Sequence, residues 1–314
     1  MQRRRFIKIM ATSVAGVSLG HSISARSLQP VRWQGYALGA EGQFTLYTET
    51  PAKAKRVLHH CFAEIRRLES LFSLYDNASE LCQLNRAGFL PKPSPEWQPL
   101  LAAIDQAHTL TGGLFDPTVQ PLWKAYDAHF QTSKSTPKSS FIQDALALTG
   151  WRKVEHHHSE IRFAQHGMSL TLNGIAQGYI TDHIAAVLKN AGYSQVLIEL
   201  GETRALGQHP EGRRWQIGIK DADQPDQIKN IAELANQALA TSGSYGSLFS
   251  SDGKYHHLIH PKTGIPTTQW KSLSVIAPTA TQADALSTGL SFANSETIAK
   301  VLSQNHSIQV IQQS

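Results

Sequence analysis

One stretch, Ser169-Leu-Thr-Leu-Asn-Gly-Ile-Ala-Gln-Gly-Tyr-Ile-Thr-Asp182, constrains the fold more than any other part of the chain. Leu170 and Leu172 alternate with polar residues as in a half-buried strand. Asn173 and Gly174 break that pattern, and Gly178 marks the turn into a helix. Ile180, Ile184, Val187 and Leu188 then recur on one helical face, and Gly192 supplies a C-terminal stop. A second strand, Gln195–Leu200, follows, so the unit reads strand, glycine turn, helix, strand. Such a turn offers free N–H groups to a phosphate at the helix N-terminus, and its carbonyls can face a metal ion.

The remaining pattern predicts an α+β chain. Strands are expected over Trp33–Glu49 around a Gly39–Gly42 turn, then a long helix over Ala52–Phe72 with an apolar stripe that includes Cys61. Ser79 is placed to cap a short helix, and another helix is expected over Glu96–Thr111. Strands at Gln216–Lys220 and Ser272–Ala277 precede a last helix that opens after Pro278. Cys61 and Cys82 read as small core residues. His156-His-His158 reads as a solvated turn, because adjacent strand residues point to opposite faces.

The formal charge of +5 is mostly a property of the first residues. Arg3, Arg4, Arg5 and Lys8 lie in an acid-free segment followed by the apolar Ile9–Leu19 and small residues near Ala25. This pattern fits a twin-arginine export signal over residues 1–25, with residues 26–314 as one mature domain in the periplasm. Without the leader the charge is nearly balanced, which removes the main support for a nucleic-acid partner.

Several groups capable of chemistry fall at turns beside strands: Asp116 after a Gly-Gly, the carbonyls of Asn173–Ala176, Ser242, Ser244, His257, and the pair Asp284 and Thr288 four residues apart on one helix face. One carboxylate, one hydroxyl and carbonyl oxygens suit Mg²⁺ better than zinc, which prefers nitrogen and sulfur. Mg²⁺ with a histidine is the equipment of phosphoryl transfer, with the metal neutralising a pyrophosphate and the imidazole moving a proton. Ser242, His257 and Asp284 also supply the residue types of a hydrolytic triad, without a nucleophile elbow.

The ordered series Ser-Leu-Tyr-(x3)-Ser-Glu-Leu-(x2)-Leu-Asn, Gly-Gly-Leu-Phe-Asp-Pro-Thr-Val, Leu-Asn-Gly-Ile-Ala-Gln-Gly-Tyr, Gly-Glu-Thr-Arg-Ala-Leu-Gly, Ala-Thr-Ser-Gly, His-Leu-Ile-His-Pro-Lys-Thr-Gly and Ala-Asp-Ala-Leu-Ser-Thr resembles the ApbE family, the FAD:protein FMN transferases, from about Trp33 to Ala293. The resemblance implies two interlocked lobes of mixed or antiparallel sheets flanked by helices, with FAD in the cleft between them. It implies Mg²⁺-dependent transfer of FMN from FAD to a threonine of an acceptor flavoprotein, a subunit of a membrane redox complex, with AMP released. It places Mg²⁺ on the Gly174 carbonyl, the Asp284 carboxylate and the Thr288 hydroxyl. Flavin contacts fall on Ala40, Tyr75, Leu114, Phe115, Asp116, Thr171, Gln177 and Ile259, and the catalytic histidine on His257.

Four positions depart from the family's pattern. His260 stands where Asp or Asn usually precedes Pro-(Arg/Lys)-Thr-Gly, Thr171 where an acid is common, and Gln177 where Lys is frequent. One glycine is missing before Glu202. The same motifs would serve an FAD pyrophosphatase that yields free FMN and AMP, or a periplasmic flavin-binding protein without activity.

Overall fold

The computed structural model describes residues 28–37, 39–267 and 269–314; the leader expected over residues 1–25 lies outside them. In chain order the elements are β1 (Gln29–Ala37), β2 (Ala40–Thr48), α1 (Pro51–Phe72), α2 (Glu80–Ala87), β3 (Phe89–Pro91), α3 (Trp97–Leu110), α4 (Gln120–Thr132), α5 (Ser139–Ala147), β4 (Val154–His156), β5 (Glu160–Phe163), α6 (Ala176–Asn190), β6 (Val196–Glu199), β7 (Thr203–Leu206), β8 (Trp215–Lys220), β9 (Ile228–Leu234), β10 (Ala238–Gly243), β11 (Ser272–Ala277), α7 (Ala280–Leu290), α8 (Ser295–Gln304) and β12 (Gln309–Gln313).

Seven of these strands form one sheet in the order β1-β2-β6-β7-β10-β11-β12. Each pairing in it is antiparallel, as are those of the smaller β3-β5-β4 and β8-β9 sheets, so the sheets are antiparallel rather than mixed. Period-two alternation gives the large sheet two covered faces. Phe44, Leu46, Val196 and Ile198 point to a core shared with α1, α2, α3 and α6. Leu273, Val275 and Ala277 join α7 and α8 in a second core. The intervening Leu197, Leu239 and Ile276 face the opposite way, onto the β8–β9 ribbon with its Trp215, Ile217 and Ile219. A satellite cluster of Leu122, Tyr126, Ile142, Ala145 and Ile259 joins α4 and α5 to the loop after β10. No described helix is long and apolar enough to cross a membrane.

The α1 stripe is buried as expected, with Leu58, Cys61, Ile65 and Leu68 in the core. Ser79 caps α2, its hydroxyl accepting from Cys82 N–H at 3.0 Å. Neither cysteine is in a disulfide. His156 stacks on Trp151 rather than joining a histidine cluster.

Three expectations need correction. Ser169–Leu172 is extended and largely buried but joins no sheet. The Asn85 side chain takes the place of a neighbouring strand, donating to Leu170 O at 2.8 Å and accepting from Leu170 N–H at 2.7 Å. Gly42 is not in the hairpin turn but inside the ladder opposite Gly35, which extends to Ala37↔Ala40. Gly178 lies within α6 rather than before it, because the helix already starts at Ala176.

Candidate active site

The site is built where α6 crosses α7. The α7 sequence is mostly Ala, Ser, Thr and Gly, and small side chains let backbones approach closely. Asp182 of α6 holds the N-terminus of α7, accepting from Ala280 N–H at 2.9 Å and from Thr281 N–H at 2.8 Å. Arg204 of β7 lies 3.3 Å from the same carboxylate. A carboxylate at this end also satisfies the helix dipole. Gly178 then meets α7 so closely that a Cβ there would stand 2.3 Å from the Ala280 carbonyl oxygen. Its N–H donates to Asp284 Oδ2 at 3.0 Å.

Thr288 lies one turn beyond Asp284 and faces the turn before α6; a Cβ on Gly174 would stand 2.8 Å from Thr288 Oγ1. Ser242 of β10 supports it from the other side, 2.8 Å from Ser287 Oγ and 3.3 Å from Thr288 Oγ1. Asp284 is only 3 % exposed. Burial pushes its carboxyl up to about 7, with the Gly178 hydrogen bond as the opposing influence. Glu202, in the turn between β6 and β7, is 8 % exposed and is raised well above the ordinary carboxylate range by burial and by the charge of Asp284. Two buried carboxylates that repel one another form a donor set that a divalent cation would stabilise. The residues therefore fit Mg²⁺, with Asp284, the Thr288 hydroxyl and the Gly174 carbonyl as its holders. Among the described residues no group of three or more His, Cys, Asp or Glu is placed to hold a metal ion together.

A small cavity of about 50 Å³ gathers Leu114, Phe115, Asp116, Thr171, Gly174, His257, Ile259 and Thr288. These come from four separate segments of the chain, and all were singled out from the sequence. His257 stands against Gly246, where a Cβ would touch its ring at 2.5 Å. Ser247 brackets Nδ1, with its N–H at 3.1 Å and its carbonyl oxygen at 3.3 Å. Burial lowers the imidazole's proton affinity, partly offset by the Ser247 carbonyl.

The remaining expected residues, Gln177, Tyr75 and Ala40, do not line this cavity. Gln177 packs against Gly201, 2.8 Å from the position a Cβ there would take. Tyr75 is 88 % exposed and lines an adjoining groove of about 390 Å³ with Arg86, Trp123, Lys124 and Asn173. Ala40 begins β2, beside the end of the ladder that brings Gln43 opposite Glu199.

Other groups serve structure. Asp116 Oδ1 accepts from Thr118 N–H and its hydroxyl, at 2.9 and 2.5 Å, and Oδ2 from Trp151 N–H at 2.9 Å. That carboxylate fastens the loop that carries Leu114 and Phe115. The His256 ring is buried between Thr267 O at 2.8 Å and Leu258 N–H at 3.3 Å. His260 Nδ1 accepts from Lys262 N–H at 3.1 Å, two residues on, as an Asp or Asn side chain does in a turn. This explains why a histidine can stand there. Ser242, His257 and Asp284 make no hydrogen bonds to one another; their partners are Ser287 and Thr288, Ser247, and Gly178, so no triad is assembled.

Glu202 was not identified as a site residue from sequence. An acid between two short strands reads as an exposed turn, whereas the fold leaves it 8 % exposed.

Comparison with known proteins agrees with this architecture. The chain is 29 % identical to FAD:protein FMN transferase of Klebsiella pneumoniae (strain 342), over 82 % of this chain and 76 % of that one. It is 27 % identical to the protein of the same name from Chlamydia pneumoniae, over 84 % of each. Its fold superposes on the apo Pseudomonas stutzeri flavinyl transferase ApbE with a TM-score of 0.80 at 26 % identity, covering 92 % of each chain. The ApbE protein of Thermotoga maritima superposes equally well, with a TM-score of 0.80 at 26 % identity over 90 % of this chain and 94 % of that one. With residues 38–312 matching the family as a whole, this chain belongs to the ApbE family.

Proposed function

We propose that the chain is a Mg²⁺-dependent FAD:protein FMN transferase, exported to the periplasm by its twin-arginine leader. It attaches FMN to a threonine of an acceptor flavoprotein, a subunit of a membrane redox complex, and releases AMP. The observation that carries this reading is the convergence of Gly174, Thr288 and His257 on one cavity, with Asp284 buried one turn before Thr288 against Gly178. The names of the curated relatives support the transfer itself.

When bound, Mg²⁺ would neutralise the pyrophosphate and stabilise the departing AMP phosphate. Asp284, Thr288 and the Gly174 carbonyl would hold it. His257 acts on the acceptor. Nδ1 meets both the Ser247 N–H and its carbonyl oxygen, so action as a base requires the tautomer whose Nδ1–H turns to the carbonyl; Nε2 then takes the proton of the threonine hydroxyl. The hydroxyl oxygen forms the new bond to the FMN phosphorus as the bond from that phosphorus to the AMP oxygen breaks. The imidazolium that results retains the Ser247 carbonyl as its partner. Burial keeps the imidazole neutral beforehand, as a base must be. The exposed Tyr75 ring and the Leu114-Phe115 loop, fastened by Asp116, present apolar surface suited to a flavin nucleotide.

In-gel flavin fluorescence of an acceptor domain tests the reading. Fluorescence that survives denaturation in the presence of FAD and Mg²⁺, and disappears with Asp284→Ala, is expected. AMP and free FMN without labelled acceptor would instead indicate a pyrophosphatase.

A further inference from the structure

The cavity that holds His257 has two walls from distant parts of the chain. Leu114, Phe115 and Asp116 form one, on the loop after α3; His257, Leu258, Ile259 and Pro261 form the other, on the loop after β10. Transfer needs both at once, since the first presents the surface suited to a flavin nucleotide and the second carries the base. Each wall is secured on its own side. Phe115 N–H donates to Thr111 Oγ1 at 2.9 Å, and the Phe115 carbonyl oxygen lies 2.9 Å from Nδ1 of His108 in α3. Across the cavity, Gly264 N–H donates to His260 O at 2.8 Å, and the Gly264 carbonyl accepts from the Tyr126 hydroxyl of α4 at 2.7 Å.

A single hydrogen bond spans the two. Lys262 Nζ donates to Gly112 O at 2.8 Å, and among the described residues no other hydrogen bond joins Gly112–Val119 to His257–Thr267. The lysine stem runs beside Gly113, where a Cβ would stand 3.6 Å from Lys262 Cε and 3.3 Å from His108 Cε1. Gly112 and Gly113 have φ of +61° and +83°, a left-handed pair with no side chain to hold the turn. Gly112 O also lies just past the C-terminus of α3, where carbonyls are short of donors and a positive charge is favoured. At its other end the lysine is held by its own backbone, its N–H donating to His260 Nδ1 at 3.1 Å. Lys262 is thus an exposed residue fixed at both ends.

We propose that Lys262 is a positioning residue for the transfer: by tying Gly112 to the loop of His257, it sets the separation between the bound flavin nucleotide and the base. This rests on the reading of the site as an FMN transferase. Without the lysine, the flavin loop keeps its holds on α3 and, through Asp116, on Trp151. Nucleotide binding therefore survives largely intact. What is lost is the register of two groups that must meet in the transition state, where a displacement of about 1 Å costs up to roughly 100-fold in rate.

Lys262→Met keeps the stem and removes the donor. Hydrogen exchange over Gly112–Phe115 in the mature, FAD-free chain reads the tie independently of any activity. It is expected to quicken in Lys262→Met and to return towards wild type in Lys262→Arg, which can donate to the same carbonyl. Tm is expected to hold, because an exposed substitution moves stability little. With FAD and an acceptor domain, kcat is expected to fall about tenfold to 100-fold while FAD Kd, read from flavin fluorescence, changes by less than about threefold. Lys262→Arg is expected to recover most of the rate. A lysine that only braced the fold would lower Tm, and one that gripped FAD itself would weaken Kd and leave kcat alone; either result overturns the proposal. Wild-type exchange with wild-type kcat also overturns it and leaves the transferase standing. A wild-type chain that yields AMP and free FMN with no labelled acceptor overturns the transferase instead. The rate of AMP release then decides on Lys262: a similar fall in Lys262→Met supports the tie, and wild-type release overturns it.

Discussion

Replacing Gly178 by alanine adds one methyl group at the closest contact in the site. Its Cβ would lie 2.3 Å from the Ala280 oxygen, 2.6 Å from the Ala280 carbonyl carbon and 2.9 Å from Asp284 Cβ. Carbon atoms at rest sit roughly 3.5 Å or more from such neighbours, so α6 and α7 must part by about 1 Å. Two of the three opposing atoms are backbone and cannot rotate away. Overpacking of this kind costs about 1–3 kcal/mol. In an isolated helix the same change would stabilise by about 0.5–1 kcal/mol, because alanine is the better helix former. The expected net result is a loss of about 1–2 kcal/mol. In a chain of this length that lowers Tm by roughly 2–8 °C, measurable by differential scanning calorimetry. The Gly178 N–H survives the substitution, but its hydrogen bond to Asp284 is displaced together with the Thr288 face. A shift of about 1 Å in such groups is expected to slow FMN transfer roughly 100-fold. A variant at least as stable as wild type, with wild-type transfer, would refute the claim that close helix contact positions the carboxylate.

Asp116→Asn keeps the acceptor for Thr118 but places an NH₂ group against the Trp151 N–H, or the reverse if it flips. A loss of about 1–3 kcal/mol in urea unfolding is expected for the unsatisfied buried pair. Asp284→Ala should abolish AMP release at any accessible Mg²⁺ concentration, since it removes the carboxylate proposed to hold the ion; turnover near wild type would contradict the site. Burial lowers the proton affinity of His257 below the ordinary imidazole value of 6.5. With Mg²⁺ saturating at each pH, the acid limb of kcat should therefore fall below pH 6.5, activity being present above it and lost as the ring protonates. A limb above 6.5 that vanishes in His257→Gln would show the opposite shift.

How far the sequence discloses this site depends on whether each signal is local. The α1 stripe and the Asp284–Thr288 face follow from helical periodicity and need no tertiary information. The turn at Asn173–Gly174 is likewise a local break. Leu170 and Leu172 carry a strand's alternation, yet Leu170 pairs with the Asn85 side chain, 85 residues away, and Leu172 O accepts from Ile175 and Ala176 N–H at the start of α6. Gly178 reads as a helix breaker because propensity is local, whereas its reason for being glycine is the Ala280 backbone of another helix. Asp116 follows a Gly-Gly and looks directed at a ligand; Trp151 and Thr118, brought in by the fold, engage both its oxygens. His260 looks like a second candidate base, and only its bond to Lys262 N–H marks it as a turn residue. Glu202 is the clearest case: an acid in a hairpin turn reads as exposed, and its burial appears only in the fold.

The central claim is that this cavity joins FMN to a protein hydroxyl. Mass spectrometry of a threonine-bearing acceptor domain, incubated with the mature chain, FAD and Mg²⁺ with and without chelator, tests it most directly. The account predicts an FMN adduct on the threonine, equimolar AMP, and neither product when chelator is present or His257 is replaced by glutamine. An unmodified acceptor beside intact FAD, under conditions where the mature chain binds both, would contradict it.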